Sequence, residues 1–188
     1  MSTRATYEFR SANCHLLDVT VCFYIHSDGY PEGAAENFYL MHDSKYPDNL
    51  QDYASQFFRI NKSAEFTKNR DAHIDTEYHY IFSRNETLSV FERESNNRWL
   101  SLYKGHWLDF VNQHQQPDMK LYRFDTDFYY HRYYTMTLKE ARAFIENKKE
   151  ESRILEENGK INQAKILLYD MGYLKGQIKT IEEKIEND

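Results

Sequence analysis

Hydrophobic positions along the chain fall into two regimes. Up to about residue 136 the apolar side chains are largely aromatic and come in short runs, whereas from Thr137 onward Tyr and Phe thin out and Glu, Lys, Ile and Leu take over. In the first regime, residues 5–10 and 18–26 have the β-branched and aromatic content of strands, with Ser11-Ala12-Asn13 as the turn between them. The run Val19-Thr20-Val21-Cys22-Phe23-Tyr24-Ile25 is almost continuously apolar, which predicts a central place in a sheet. Asp28-Gly29 then makes a turn, Pro31 suits a first helical position, and a helix continues through Met41. A second helix is expected over 48–60, where Leu50, Tyr53, Phe57 and Ile60 recur at helical spacing.

Three short strands follow at 77–83, 87–92 and 99–103, reading as a meander, then a helical patch at 106–114 and strands at 121–124 and 128–134. Strands interrupted by two helices and resumed afterwards predict an α+β fold over residues 1–136, built on an antiparallel or mixed sheet. The second regime, 137–188, reads as a C-terminal helical hairpin or coiled coil. Thr137-Leu138-Lys139-Glu140 has the form of a capping box and Asn158-Gly159 that of a stop. Beyond it Ile161, Ala164, Leu168, Met171, Leu174, Ile178, Ile181 and Ile185 recur at three- and four-residue steps, as in a coiled-coil seam. Gly172 and Gly176 each weaken a helix by about 1 kcal/mol relative to Ala, so close packing is expected beside them. The preceding helix folded back, the same helix of a second subunit, or both could supply it. Residues 137–188 are therefore expected to join a homodimer.

Charge narrows the choice of partners. With 24 Lys and Arg against 30 Asp and Glu, a net charge of -6 argues against a general nucleic-acid binder, and the balance is too even for a polyacidic DNA mimic. No run approaches the roughly 18 apolar residues of a membrane span. MSTRATYEFR lacks the apolar core of a signal peptide, so a soluble, cytoplasmic protein is expected. Cys14 and Cys22 read as two small buried thiols, with a disulfide geometrically possible. The 16 Tyr and 12 Phe imply a core of large rings whose hydroxyls need hydrogen-bond partners.

Chemistry could sit in three places. The segment His26-Ser27-Asp28-Gly29-Tyr30-Pro31-Glu32-Gly33 sets His26, Asp28 and Glu32 where a strand hands over to a helix, a common location for ligand groups. Ordinary turn and helix-start preferences explain Asp28, Pro31 and Glu32 equally well. In Asp71-Ala72-His73-Ile74-Asp75-Thr76-Glu77-Tyr78-His79, extended chain would put His73, Asp75, Glu77 and His79 on one face. Imidazole with carboxylates suits Zn, Mn or Fe, so His73, Asp75 and Glu77 are candidate ligands of a divalent metal. The competing reading is the solvent face of an edge strand. If the two segments are neighbours, His26, Asp28 and His73 become candidate catalytic groups, with Arg4, Tyr30 and Glu32 binding a small molecule. The third place is the amino terminus, where removal of Met1 would expose Ser2 as a terminal nucleophile beside Arg4; an ordinary first strand is the alternative. The run Phe128-Tyr129-Tyr130-His131-Arg132-Tyr133-Tyr134 could stack bases, but Asp125 and Asp127 oppose a phosphate backbone, so it reads as a strand.

Ser2-Thr3-Arg4-Ala5-Thr6-Tyr7, the segment from Tyr24 to Ala35, and Ala72-His73-Ile74-Asp75-Thr76-Glu77-Tyr78 together resemble a family of uncharacterised bacterial and mobile-element proteins. The resemblance ends near Tyr80, brings no activity with it, and falls on the three segments singled out by chemistry. Two functions compete. One is a small ligand- or metal-binding domain, with hydrolysis or group transfer using the His/Asp/Glu cluster as acid and base. The other is a non-enzymatic protein-interaction module, such as a phage- or plasmid-borne inhibitor of a host complex, whose dimeric tail would supply avidity.

Overall fold

A computed structural model describes residues 3–11, 19–42, 50–83, 85–128 and 132–187. The chain forms two compact units, Met1–Gln116 and Pro117–Asp188. The change of composition at Thr137 thus falls inside the second unit, because the hairpin before it shares a core with the helices after it.

In the first unit β1 (Ala5–Ser11), β2 (Val19–Ile25), β3 (Glu65–Phe66), β4 (Tyr78–Ser83), β5 (Thr87–Arg93) and β6 (Trp99–His106) form one sheet in the order β3-β2-β1-β4-β5-β6. β1 and β4 run parallel and all other neighbours antiparallel, so the sheet is mixed and the fold α+β. The centre belongs to β1 and β4. The strongly apolar β2 lies next to the edge instead; its Phe23 and Tyr24 are both buried although they point to opposite faces, because each face is covered there.

Three helices, α1 (Pro31–His42), α2 (Leu50–Ile60) and α3 (Trp107–His114), cover one face. On β1 the period of two sends Tyr7 and Phe9 toward them and Thr6 and Glu8 away. Tyr7 packs 4.3 Å from Phe57 and 4.8 Å from Tyr80 between ring centroids, and Phe38 lies against Phe82 and Phe110. Each such ring contributes about 1.5–3 kcal/mol of burial. The expected hydroxyl partners are present: Tyr80 donates to the Gly29 carbonyl at 2.8 Å, and Tyr7 accepts from the Asn37 amide. α3 begins one residue later than its sequence suggests, since His106 is its cap and accepts the Leu108 N–H through Nδ1 at 3.2 Å.

The second unit is a hairpin of β7 (Leu121–Asp125) and β8 (Tyr133–Thr137) followed by α4 (Leu138–Glu157) and α5 (Ile161–Asn187). The capping box forms as expected: Thr137 Oγ1 accepts the Glu140 N–H at 3.2 Å, and Glu140 accepts the Thr137 N–H at 2.7 Å. α4 stops where Gly159 takes a left-handed φ of 76°. Phe124, Met136, Ala141, Ile145, Met171, Leu174 and Ile178 form the core.

The seam read along α5 divides. Ala164, Met171, Leu174 and Ile178 are buried, whereas Ile161, Leu168 and Ile185 are about half exposed. The close packing expected at Gly172 and Gly176 is not supplied by the described residues, since a Cβ at either position would have none of their atoms within 4 Å. Tyr129, Tyr130 and His131, like Cys14 and Ser2, lie outside the described residues. Among the described residues, no helix is long and apolar enough to cross a membrane.

Candidate functional site

The segments singled out in the sequence do meet, at one corner of the first unit's sheet. Arg4 enters β1 there, Tyr24 and His26 leave β2, and the chain between β3 and β4 crosses the face opposite the helices. That chain was expected to be extended up to the start of β4, but residues 67–77 run through turns instead. The period-two face of His73, Asp75, Glu77 and His79 therefore does not form. Ile74 is 88% exposed, whereas Thr76 and His79 are buried.

The geometry of the corner is specific. The His73 imidazole lies flat on the Tyr24 ring, with centroids 3.8 Å apart and planes 7° apart. The Tyr24 hydroxyl donates to Asp75 Oδ1 at 2.9 Å, and Arg4 Nε pairs with Asp75 Oδ2 at 3.0 Å. Burial, followed by the hydrogen bond and charge of Asp75, pushes the Tyr24 phenol up to about 12. Glu77 accepts the Arg4 N–H through Oε1 at 3.2 Å while its own N–H donates to the Arg4 carbonyl at 3.0 Å, which zips the end of the loop to β1. Farther along, Trp99 donates from Nε1 to Asp71 at 3.2 Å, and the Arg70 guanidinium sits 5.0 Å over the Trp99 ring. Arg93 donates to the Ile74 carbonyl at 2.8 Å.

The strand-to-helix turn is occupied by its own construction. Asp28, not Gly29, takes the left-handed backbone, with φ of 59°. Gly29 is needed because a Cβ there would come within 2.6 Å of the Ala5 Cβ, and at Gly33 one would meet the Asp28 carbonyl at 2.3 Å. His26 pairs through Nε2 with Glu65 of β3 at 2.9 Å, its ring edge-on to Tyr24. Glu32 lies 3.6 Å from His114 of α3, and Tyr30 is exposed. His26 and His73 thus share one aromatic neighbour, whereas Asp28 and Glu32 belong to the packing of the turn and of α1. Among the described residues no three His, Cys, Asp or Glu side chains are grouped so as to hold a metal. Of the proposed ligands, Asp75 and Glu77 bond to Arg4, on its side chain and its backbone respectively.

No family model, curated protein or solved structure matches this chain.

Beneath the loop lies a polar network that inspection of the sequence missed. His79 is buried, with Nδ1 2.7 Å from Thr6 Oγ1 and Nε2 3.2 Å from Glu8 Oε2. Arg10 Nε closes the row on the other Glu8 oxygen. Burial pushes the Glu8 carboxyl up, but hydrogen bonds from His79 and Arg10 outweigh it and bring the group down to about 2. Cys22, the register partner of Glu8 on β2, is a buried free thiol that burial and the Glu8 charge push up to about 12. The signal was the row Thr6, Glu8 and Arg10 alternating with Tyr7 and Phe9 on a central strand. A hydroxyl, an imidazole and a carboxylate in line have the composition of a nucleophilic triad, but Thr6 and His79 are sealed from solvent and present no reacting atom. The row ties β1 to β4.

Proposed function

We propose that the first unit is a protein-interaction module whose contact element is the loop at residues 67–77. The observation that carries this reading is Ile74, which stands 88% exposed at the crest of a loop braced from both sides. A single exposed apolar residue means little by itself. Here Arg4, Tyr24, Arg93 and Trp99 all hold the segment that bears it, so little ordering entropy remains to be lost on binding. Asp71, Asp75 and Glu77 flank Ile74 and are exposed. Since Asp71 and Asp75 already face Arg70 and Arg4, the matching partner surface is an apolar pocket with a mixed polar rim.

A photo-crosslinking amino acid at position 74, with the same amino acid at exposed Ser95 as control, tests the proposal in extracts of the source cell. A discrete adduct from position 74, reduced when the partner is first saturated with unmodified protein, supports it. Equal labelling from both positions, or none from position 74, contradicts it.

A second reading rests on His73, whose ring nitrogens bond to no protein group among the described residues and remain available as a base or a ligand-holding group. Retention of a bound ion or small molecule by the native protein, with its loss in His73→Ala, would favour that reading. We further propose self-association of the whole chain through the face of α5 that carries Ile161, Leu168, Gly172 and Gly176, supported by the open space beside both glycines.

A further inference from the structure

The second unit contains a cavity of about 270 Å³ between the β7–β8 hairpin and the two helices. Its floor is apolar, made by Phe144, Met171 and Leu174. Four charged side chains reach the lining, and three have partners of opposite sign. Lys148 pairs with Glu151 at 2.6 Å, and Arg132 and Asp127 face each other at 3.9 Å. Asp170 differs. Its Oδ1 accepts the Phe128 N–H at 3.1 Å, and no cation among the described residues forms an ion pair with it. Burial pushes its carboxyl above the ordinary range; the Phe128 hydrogen bond opposes this, the Asp127 and Asp125 charges add to it, and the Lys148 charge acts against it. An apolar floor beside one carboxylate without an ion-pair partner is complementary to a molecule with an apolar body and a positive head.

We propose that this cavity binds a small amphipathic amine, its hydrocarbon or aromatic body on Phe144, Met171 and Leu174 and its ammonium on Asp170. The volume lies just below that of drug-sized sites, so the ligand is of the size of a single-ring amine. Lys148 and Arg132 are already paired and repel a further cation, which leaves Asp170 as the lining group that attracts the ammonium.

The test titrates the full-length protein with 2-phenylethylamine, 2-phenylethanol and 3-phenylpropionate, following backbone amide resonances. Phe128 reports directly, because its N–H is bonded to the carboxylate in question. The expected result is a saturable shift of the Phe128 and Met171 amides by the amine, with 2-phenylethanol at least about tenfold weaker and 3-phenylpropionate weaker still. Asp170→Asn keeps an acceptor for the Phe128 N–H and should abolish the preference for amine over alcohol. The proposal is overturned if the alcohol or the acid binds as well as the amine, if Asp170→Asn keeps the preference, or if the amine gives no saturable shift up to about 10 mM.

Discussion

Tyr24 holds both residues that flank Ile74: the His73 imidazole stacks on its ring at 3.8 Å, and its hydroxyl donates to Asp75 at 2.9 Å. One side chain at the end of β2 thereby fixes two residues of a distant loop, and leaves the residue between them in solvent. Tyr24→Phe should remove the hydrogen bond alone and cost about 0.5–1.5 kcal/mol, and His73→Ala should remove the stack at a similar cost. Chemical denaturation of the single and double variants measures both. Because both interactions restrain one loop, the double variant should be less destabilised than the sum.

The Glu8 carboxyl predicts an acid limb. Its folded pKa of about 2 lies below the unfolded value near 4.5, so its contribution is complete above about pH 4.5 and is lost as pH falls toward 2. The shift corresponds to roughly 2–4 kcal/mol. Stability measured from about pH 6 to about pH 2 should fall accordingly, and Glu8→Gln should be less stable near pH 6 with a flatter acid limb.

Tyrosines predict the alkaline limb. Burial pushes Tyr24 and Tyr78 up to about 12, with Asp75 and Glu92 respectively adding to the shift, and burial raises Tyr7 and Tyr80 as well. Folded values above the unfolded value mean that this contribution is intact below about pH 10 and is lost as pH rises beyond it. In an alkaline titration the tyrosinate absorbance of these groups should therefore appear together with loss of the near-ultraviolet circular dichroism, not before it.

The elements legible in the sequence were those with a local cause. The capping box at Thr137, the stop at Gly159 and the runs around Val19 and Ile81 depend on neighbouring residues, and each forms in place. Contacts between distant segments could not be read. The alternation His73-x-Asp75-x-Glu77 suggested a strand face because nothing in those residues records that Arg4, Arg93 and Trp99 draw them into turns. Conversely, the same alternation grouped His79 with His73, Asp75 and Glu77 on one face, and only its parallel register with Thr6 shows that it is interior. That His26 and His73 meet at Tyr24 follows from β2 lying between β3 and β1, a strand order that local pattern does not encode.

The helical unit offers a test of self-association. With no atom within 4 Å of a Cβ at Gly172 or Gly176 among the described residues, Ala at each position should stabilise an isolated chain by about 0.5–1 kcal/mol. If α5 packs on α5 of a second copy through this face, sedimentation should show a dimer that the same substitutions weaken. A dimer untouched by the double Ala variant would contradict that assembly.

The central claim is that the polar groups at the corner of the sheet hold residues 67–77 in place. Hydrogen exchange at single-residue resolution tests it most directly, because the Thr76 and Glu77 amides donate to the His73 and Arg4 carbonyls. In the native chain these two amides should be protected, and in Asp75→Ala, which releases both Arg4 and Tyr24, their protection should fall at least about tenfold while that of β5 stays unchanged. Protection that persists in Asp75→Ala would contradict the account and leave Arg4 and Asp75 as candidate ligand groups.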